Sequence, residues 1–493
     1  MMNGLLRAVI PQKRNFSRHA AYLALLGFAS VPTLAQTAVW NLPYQRPASY
    51  DFSSLYGATL NTYLAAVPNF FAAELAKGWT YYKATFIQAN GLVNHQRLQN
   101  GTTVIGTNEA VSEGQGYGLL LSLINNDQTT FNKIFEAANQ NMWDNGHKSY
   151  FKWSLPNGSP GAATDADIDI GVALVFADEL EKKGFWKPYN GAVKYGVRAM
   201  EIIKSIRQNM TASDHLLPGD NWAGDGINNL NPSYFATAWM KVFDLYQKEV
   251  VFKPVIDNAY AVLKKVPRYS LGQAPDWCNT SGQQSSQGGG KTYSGMGMLS
   301  DGIRTPYRIA MDALWFNDAR AIEYCKNTMK TLTEYGNTNG RVLAAQMGHY
   351  DNTGKILPET GGSFDNIAQW SCAILGSRDP NYSTKGLSSV VIGLISGNSA
   401  NFFGDNTLQD EKFYYKQSIA MLGFAAIGGQ FPNIFSDEKK DPSTAIRSIR
   451  QGLAAQPDWS AQPIFTSGAK SFLSPLKSPS RINAIGQNLP LNP

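Results

Sequence analysis

Two stretches, Ala166-Asp-Ile-Asp-Ile-Gly-Val-Ala-Leu-Val-Phe-Ala177 and Ser418-Ile-Ala-Met-Leu-Gly-Phe-Ala-Ala-Ile-Gly-Gly429, have helical length and are apolar or small on nearly every face. Such a helix must be buried from more than one side. Elsewhere the apolar stripe is one-sided. Asp127 is placed to cap a helix carrying Phe131, Ile134, Phe135, Ala138 and Met142. Over 189–207, Val193, Val197, Met200, Ile203 and Ile206 are expected on one face, with Lys194, Arg198, Glu201 and Lys204 opposite. Further helices are predicted at 68–88, 113–125, 165–183, 233–248, 254–266, 306–316, 318–334, 363–375, 384–396 and 408–427, about twelve in all. Strand signals are few and short. The chain therefore reads as all-α. Amphipathic helices outside and uniformly apolar ones inside make an α/α toroid over residues 36–435. Its long loops, 143–164, 214–231 and 267–304, build a cleft at one end.

The 493 residues are 43% hydrophobic and 16% charged, with 24 Phe, 23 Tyr and 11 Trp, which excludes global disorder. No run past residue 35 is long and apolar enough for a membrane span. The net charge of +6 owes four charges to Arg7, Lys13, Arg14 and Arg18, leaving +2 on the remainder and no footprint for nucleic acid. Those basic residues precede the apolar run Ala20–Ser30 and Thr33-Leu34-Ala35. That is the order of a secretory signal, so cleavage near Ala35 and a secreted or periplasmic protein are expected. Cys278, Cys325 and Cys372 are expected as buried thiols with at most one disulfide. The five histidines are scattered and no CxxC or HxxxH spacing occurs, so no metal or cofactor is expected. After residue 435 the chain turns rich in Ser, Pro, Gln and Lys, and 436–493 reads as a tail.

Two motif-like stretches fail on inspection. Gly288-Gly289-Gly290-Lys291-Thr292 ends like a phosphate loop, but Ser285 stands at the first required glycine. Asp165-Ala-Asp167-Ile-Asp169-Ile-Gly171 starts like a calcium loop, yet its glycine comes one place late and Phe176 replaces the bidentate Glu. Three acidic sites remain: Glu113 in Ser112-Glu-Gly-Gln-Gly-Tyr117-Gly118, Asp165 with Asp167, and Asp301 in Asp301-Gly-Ile-Arg304-Thr-Pro306. Each lies where a loop runs into a helix, hence at a barrel end. A carboxylate there can be a plain N-cap, but three together, two of them among glycines and aromatics, favour a site. Cleaving a glycosidic bond needs one carboxylic acid to protonate the leaving oxygen and a second carboxylate across the bond. Where the second activates water, the pair stands roughly 6.5–9.5 Å apart. Arg304 is placed to keep Asp301 ionised, while apolar neighbours are expected to raise the pKa of Glu113. Trp143, Trp153, Trp222 and Tyr234, in or beside the loops, offer flat rings that suit sugar faces.

At these motifs the chain resembles glycoside hydrolase family 8, over residues about 50–430. The segments carrying the likeness are Ser112–Gly118, Ala163-Thr-Asp165-Ala-Asp167, Asn231-Pro-Ser-Tyr234-Phe235 and Asp301–Pro306. The resemblance implies an inverting endo-acting hydrolase of β-1,4-linked glycans on an (α/α)6 barrel. It makes Glu113 the general acid and Asp301 the general base, with Asp165 holding the distorted sugar. Tyr234, Arg304, Trp153, Trp222 and Tyr117 are the expected substrate-binding residues. Ser300 stands where members with cellulase activity often carry an aromatic residue. Cellulose or mixed-linkage β-glucan is the first expected substrate, with xylan and chitosan as alternatives. A catalytically dead glycan-binding toroid is the competing reading. The expected partner is polysaccharide alone, bound by a monomer.

Overall fold

The computed structural model describes Leu42 and residues 50–435, apart from 68, 97, 99–109, 145, 147, 156–160, 221–225, 288–290, 293–294, 335–343, 380–386 and 388–413. The expected leader 1–35, the tail 436–493, Trp222 and all of the predicted helix 384–396 but Leu387 lie outside the described residues. Among the described residues there are twelve α-helices. In chain order they are α1 (Ser53–Ala66), α2 (Phe70–Phe86), α3 (Ser112–Ile124), α4 (Gln128–Asn141), α5 (Thr164–Lys182), α6 (Tyr195–Asn209), α7 (Thr237–Gln247), α8 (Lys253–Lys265), α9 (Thr305–Phe316), α10 (Ala319–Glu334), α11 (Phe364–Gly376) and α12 (Tyr414–Ile427). Among the described residues, strands form three antiparallel pairs of two residues each, beside isolated bridges. None of the described helices is long and apolar enough to cross a membrane.

The helix contacts close a ring. Helix α3 packs on α5, α5 on α7, α7 on α9, α9 on α11, α11 on α12, and α12 returns to α3. Every side chain of α3 and all those described on α12, save Lys416, are buried, as helices enclosed on all sides must be. Outside this ring α2 lies on α12, α4 on α3, α6 on α5, α8 on α7, and α10 on α9 and α11. From α2 to α11 outer and inner helices thus alternate along the chain, and with α12 the described residues supply six inner and five outer helices of the (α/α)6 arrangement. The inner helices approach closely: a Cβ on Gly116 of α3 would lie 3.0 Å from the Cβ of Asp169 on α5.

Three sequence expectations differ from the structure in detail. Helix α1 was not foreseen. It buries only Tyr56 and Leu60 and is interrupted at Gly57 (φ 75°, ψ 164°), so it carries no clear periodic stripe. Helix α6 starts at Tyr195 rather than 189, after a segment containing Pro188. Its buried face is also rotated from the expected one. Val197 and Met200 are 54% and 42% exposed, whereas Arg198 is buried with its guanidinium carbon 3.5 Å from the Trp143 ring centre. A cation can cover an aromatic face in that way, so a charge pattern alone misassigned the side. Cys278, Cys325 and Cys372 are all buried free thiols. The Asp127 cap forms as expected, its Oδ1 accepting from the Thr130 amide at 3.0 Å.

Candidate active site

Three inner helices, α3, α5 and α12, and the turns before α7 and α9 bring side chains to one point, occupied by the buried guanidinium of Arg304. Glu113 lies in the first turn of α3. Strand β1 (Ala110–Val111) pairs with β2 (Ser154–Leu155), and the Ser112 amide donates to the Trp153 carbonyl at 2.9 Å. Gln115 then clasps the neighbouring segment, accepting from the Val93 amide and donating to its carbonyl, each at 2.8 Å. These contacts fix the direction in which Glu113 projects. Asp165 opens α5, whose Thr164 amide is held by the Pro218 carbonyl at 3.0 Å. Ahead of α7, the Asn231 side chain accepts from the Ser233 amide at 3.0 Å and its hydroxyl at 2.7 Å, turning Ser233 and Tyr234 inward.

Arg304 ties these elements together. Its Nη1 donates to Glu113 Oε2 at 2.6 Å, Asp165 Oδ2 at 2.8 Å and the Tyr117 hydroxyl at 3.1 Å. Its Nη2 donates to Asp301 Oδ1 and Ser233 Oγ, both at 2.9 Å. The Tyr234 ring lies 5.4 Å from the guanidinium carbon. A planar, rigid fork of donors can serve so many acceptors where a lysine could not. Because both carboxylates touch one guanidinium, Glu113 Oε2 and Asp301 Oδ1 are no more than about 8 Å apart.

The surroundings push both acids upward. Burial pushes Glu113 up to about 8; Arg304 pulls it down, Asp165 pushes it up, the Tyr414 hydroxyl draws it down and Asp301 raises it. Asp301 is raised by burial first, while Arg304 and the nearby Asn231 and Trp277 side chains favour its ionised form. Arg304 thus acts on Asp301 as expected, but it is shared with Glu113 and Asp165. One turn deeper, Arg308 binds Asp169 through both nitrogens at 2.5 and 2.6 Å, and Trp239 donates to the same carboxylate at 2.8 Å. This second ion pair supports the first from within the barrel.

Not every expected residue joins the cluster. Asp167 turns away, its Oδ1 accepting from the Phe151 amide at 3.0 Å, and so anchors a loop. Trp143 packs against Phe151 and Arg198. Trp153 flanks Glu113 through its backbone, its ring half-buried against the core. Three residues were missed. Tyr414, first in α12, donates its hydroxyl to Glu113 Oε1. Ser233 binds Arg304, and Trp277 lies beside Asp301 and 6.4 Å from the Tyr234 ring. The rule that found Glu113, a loop running into a fully apolar helix, applies equally to Tyr414-Tyr415 ahead of Ser418–Gly429.

Comparison with known proteins agrees with this fold. The profile of "Glycosyl hydrolases family 8" matches residues 53–344. Endoglucanase A of Acetivibrio thermocellus is 32% identical over 384 residues, covering 75% of this chain and 72% of that protein. Endoglucanase 2 of Ruminiclostridium josui is 28% identical, covering 84% and 83%. Among solved structures, the β-1,3-1,4-glucanase of Paenibacillus sp. X4 superposes with a TM-score of 0.59 at 21% identity, over 73% of this chain and 93% of that one. Rex8A from Paenibacillus barcinonensis, complexed with xylose, gives a TM-score of 0.57 at 17% identity, over 77% and 95%. At those identities the structural likeness speaks for the fold. The sequence match carries more: the chain belongs to glycoside hydrolase family 8 and is a glycoside hydrolase.

Proposed function

We propose that this protein cleaves internal β-1,4 linkages of a glucan, cellulose or mixed-linkage β-glucan, with inversion at the anomeric carbon. The observation that carries the reading is the gathering of Glu113, Asp165 and Asp301 on one guanidinium at the barrel end. Asp301 takes a proton from water, whose oxygen attacks the anomeric carbon. The glycosidic C–O bond breaks on the opposite face, and the leaving oxygen takes the proton held by Glu113. A carboxyl pushed up to about 8 by burial is still protonated at neutral pH, as the acid role requires. The ceiling of about 8 Å on the facing oxygens is compatible with a water between base and sugar.

Asp165 holds the distorted sugar at the cleavage point, with Tyr234 beside it. Among the described residues Asp165 Oδ1 and the Tyr234 hydroxyl are buried without a hydrogen-bond partner, an arrangement costing about 1–3 kcal/mol per group unless a ligand supplies the partner. Sugar hydroxyls are suitable partners. Tyr117 and Arg304 complete the binding surface, and Trp153 and Trp222 are proposed to add contacts to sugar rings. The choice of a β-glucan is supported by relatives named endoglucanases that align over most of their own length. The basic–apolar–small order of the first 35 residues supports export, and we propose that the exported chain acts as a monomer.

Reducing-sugar release from carboxymethyl cellulose, lichenan, xylan and chitosan by the wild type, Glu113→Gln and Asp301→Asn tests this. Release from the two glucans, reduced about 10²–10⁴-fold in both variants, is expected. Unchanged turnover in either variant removes that residue from its role, and release from xylan or chitosan alone refutes the substrate class.

A further inference from the structure

We propose that Asp276 is a positioning residue for the water-activating step, its carboxyl clamping the turn that presents Asp301. The inference rests on Asp301 acting as the base.

Asp301 occupies the N-cap position of the short turn Gly302–Arg304 that leads into α9, yet its side chain makes no capping hydrogen bond. Aspartate is favoured at N-caps because its oxygen satisfies a free amide of the first turn. Here that oxygen is engaged instead by Arg304 at 2.9 Å. The missing cap comes from elsewhere in the chain. Asp276, in the loop before the turn and 6% exposed, accepts through Oδ1 from the Leu299 amide at 2.6 Å and the Gly302 amide at 2.7 Å. Those two amides bracket Ser300 and Asp301. Asp276 is itself anchored, its amide donating to the Gly297 carbonyl at 2.9 Å.

The fit around the turn is close. A Cβ on Gly302 would lie 2.6 Å from the Ala274 carbonyl oxygen and 3.0 Å from Asp276 Oδ1. On the other side the Tyr415 hydroxyl donates to the Ser300 carbonyl at 2.5 Å. The turn is thus gripped by its amides and by its carbonyl. Capping by a second carboxyl is electrostatically unfavourable: burial, then the charge of Asp301, push Asp276 up to about 7, against the amides of Gly302, Leu299 and Asp301. What the arrangement secures is an Asp301 carboxylate free of its local capping duty.

Misplacing a reacting group by about 1 Å can cost roughly 10²-fold in rate. The test is steady-state kinetics of purified Asp276→Ala, Asp276→Asn, Gly302→Ala and Asp301→Asn on a soluble cello-oligosaccharide, with and without azide. Azide attacks the anomeric carbon itself while the C–O bond breaks and Glu113 protonates the leaving oxygen, so no proton need leave the nucleophile. Asp276→Ala is expected to lose about 10²-fold in kcat with KM changed less than about 3-fold, and azide is expected to restore much of the loss. Asp276→Asn keeps an acceptor oxygen and is expected to stay within about 5-fold of wild type. Should Asp276→Ala fail to fold, Gly302→Ala intrudes on the same contact and is expected to give the same azide-restorable loss. A wild-type kcat in Asp276→Ala, or a loss that azide leaves untouched, overturns the inference. Asp301→Asn separates the two levels: full turnover there refutes the base itself, whereas a slow, azide-rescued Asp301→Asn beside a wild-type-like Asp276→Ala refutes only the clamp.

Discussion

The hydroxyl of Tyr414, the first residue of the last inner helix, donates to the carboxylate of Glu113 in the first turn of α3, 301 residues earlier in the chain. The contact sits where the helical ring closes, α12 against α3, so closure of the barrel and placement of the acid are one event. Removing the hydroxyl leaves the ring packed and takes away a bond that favours the ionised form of Glu113. In Tyr414→Phe the alkaline limb of kcat/KM should therefore move to higher pH, with the thermal midpoint little changed. A limb that stays put or moves down would contradict this. The pH–rate profile is the measurement.

The wild-type profile of kcat/KM should be bell-shaped, since the proposed mechanism requires Glu113 protonated and Asp301 ionised. Its alkaline limb should fall near 8, where burial places Glu113. The Glu113→Gln variant should lack that limb in whatever residual activity it retains.

Glu113 also links pH to stability. Its folded pKa, about 8, lies above the ordinary 4.5, so the folded state holds a proton that the unfolded chain has released. That contribution is complete below pH about 4.5 and is lost as pH rises through about 8. Glu113→Gln should thus gain thermal stability relative to wild type between those limits, the gap widening toward pH 8. Thermal melts at pH 5 and pH 8 compare them.

Arg304 binds three buried carboxyl groups, of which Glu113 is held protonated at neutral pH. Arg304→Ala should destabilise the fold by about 3–5 kcal/mol, the cost of leaving buried charge uncompensated. Arg304→Lys keeps the charge but lacks the planar fork, so it should recover part of the stability and little of the turnover. Urea unfolding alongside kinetics reads both.

Much of this architecture is legible in the amino-acid order. The buried helices around Leu174 and Leu422 read as an inner ring because no polar face is left on them, and Glu113, Asp165 and Asp301 were found where loops meet such helices. Arg304 was assigned to Asp301 alone, since three residues of separation is a local signal; its contacts with Glu113 and Asp165 exist only once the ring closes. Tyr414 and Asp276 were missed for the same reason. Tyr414 stands at the mouth of an apolar helix, but nothing local marks it as the partner of Glu113, nor Asp276 as the cap of a turn beginning 26 residues later. The misread face of α6 has a different cause: Arg198 is buried by stacking on Trp143, and hydrophobic periodicity scores a guanidinium as a surface group.

In the proposed mechanism water activated by Asp301 attacks from the face opposite the oxygen protonated by Glu113. Time-resolved proton NMR of a cello-oligosaccharide digest reads this directly through the anomer released first. The α-anomer is expected at the new reducing end, giving way to the β-anomer only by mutarotation. Initial release of the β-anomer would mean a double displacement and would contradict it.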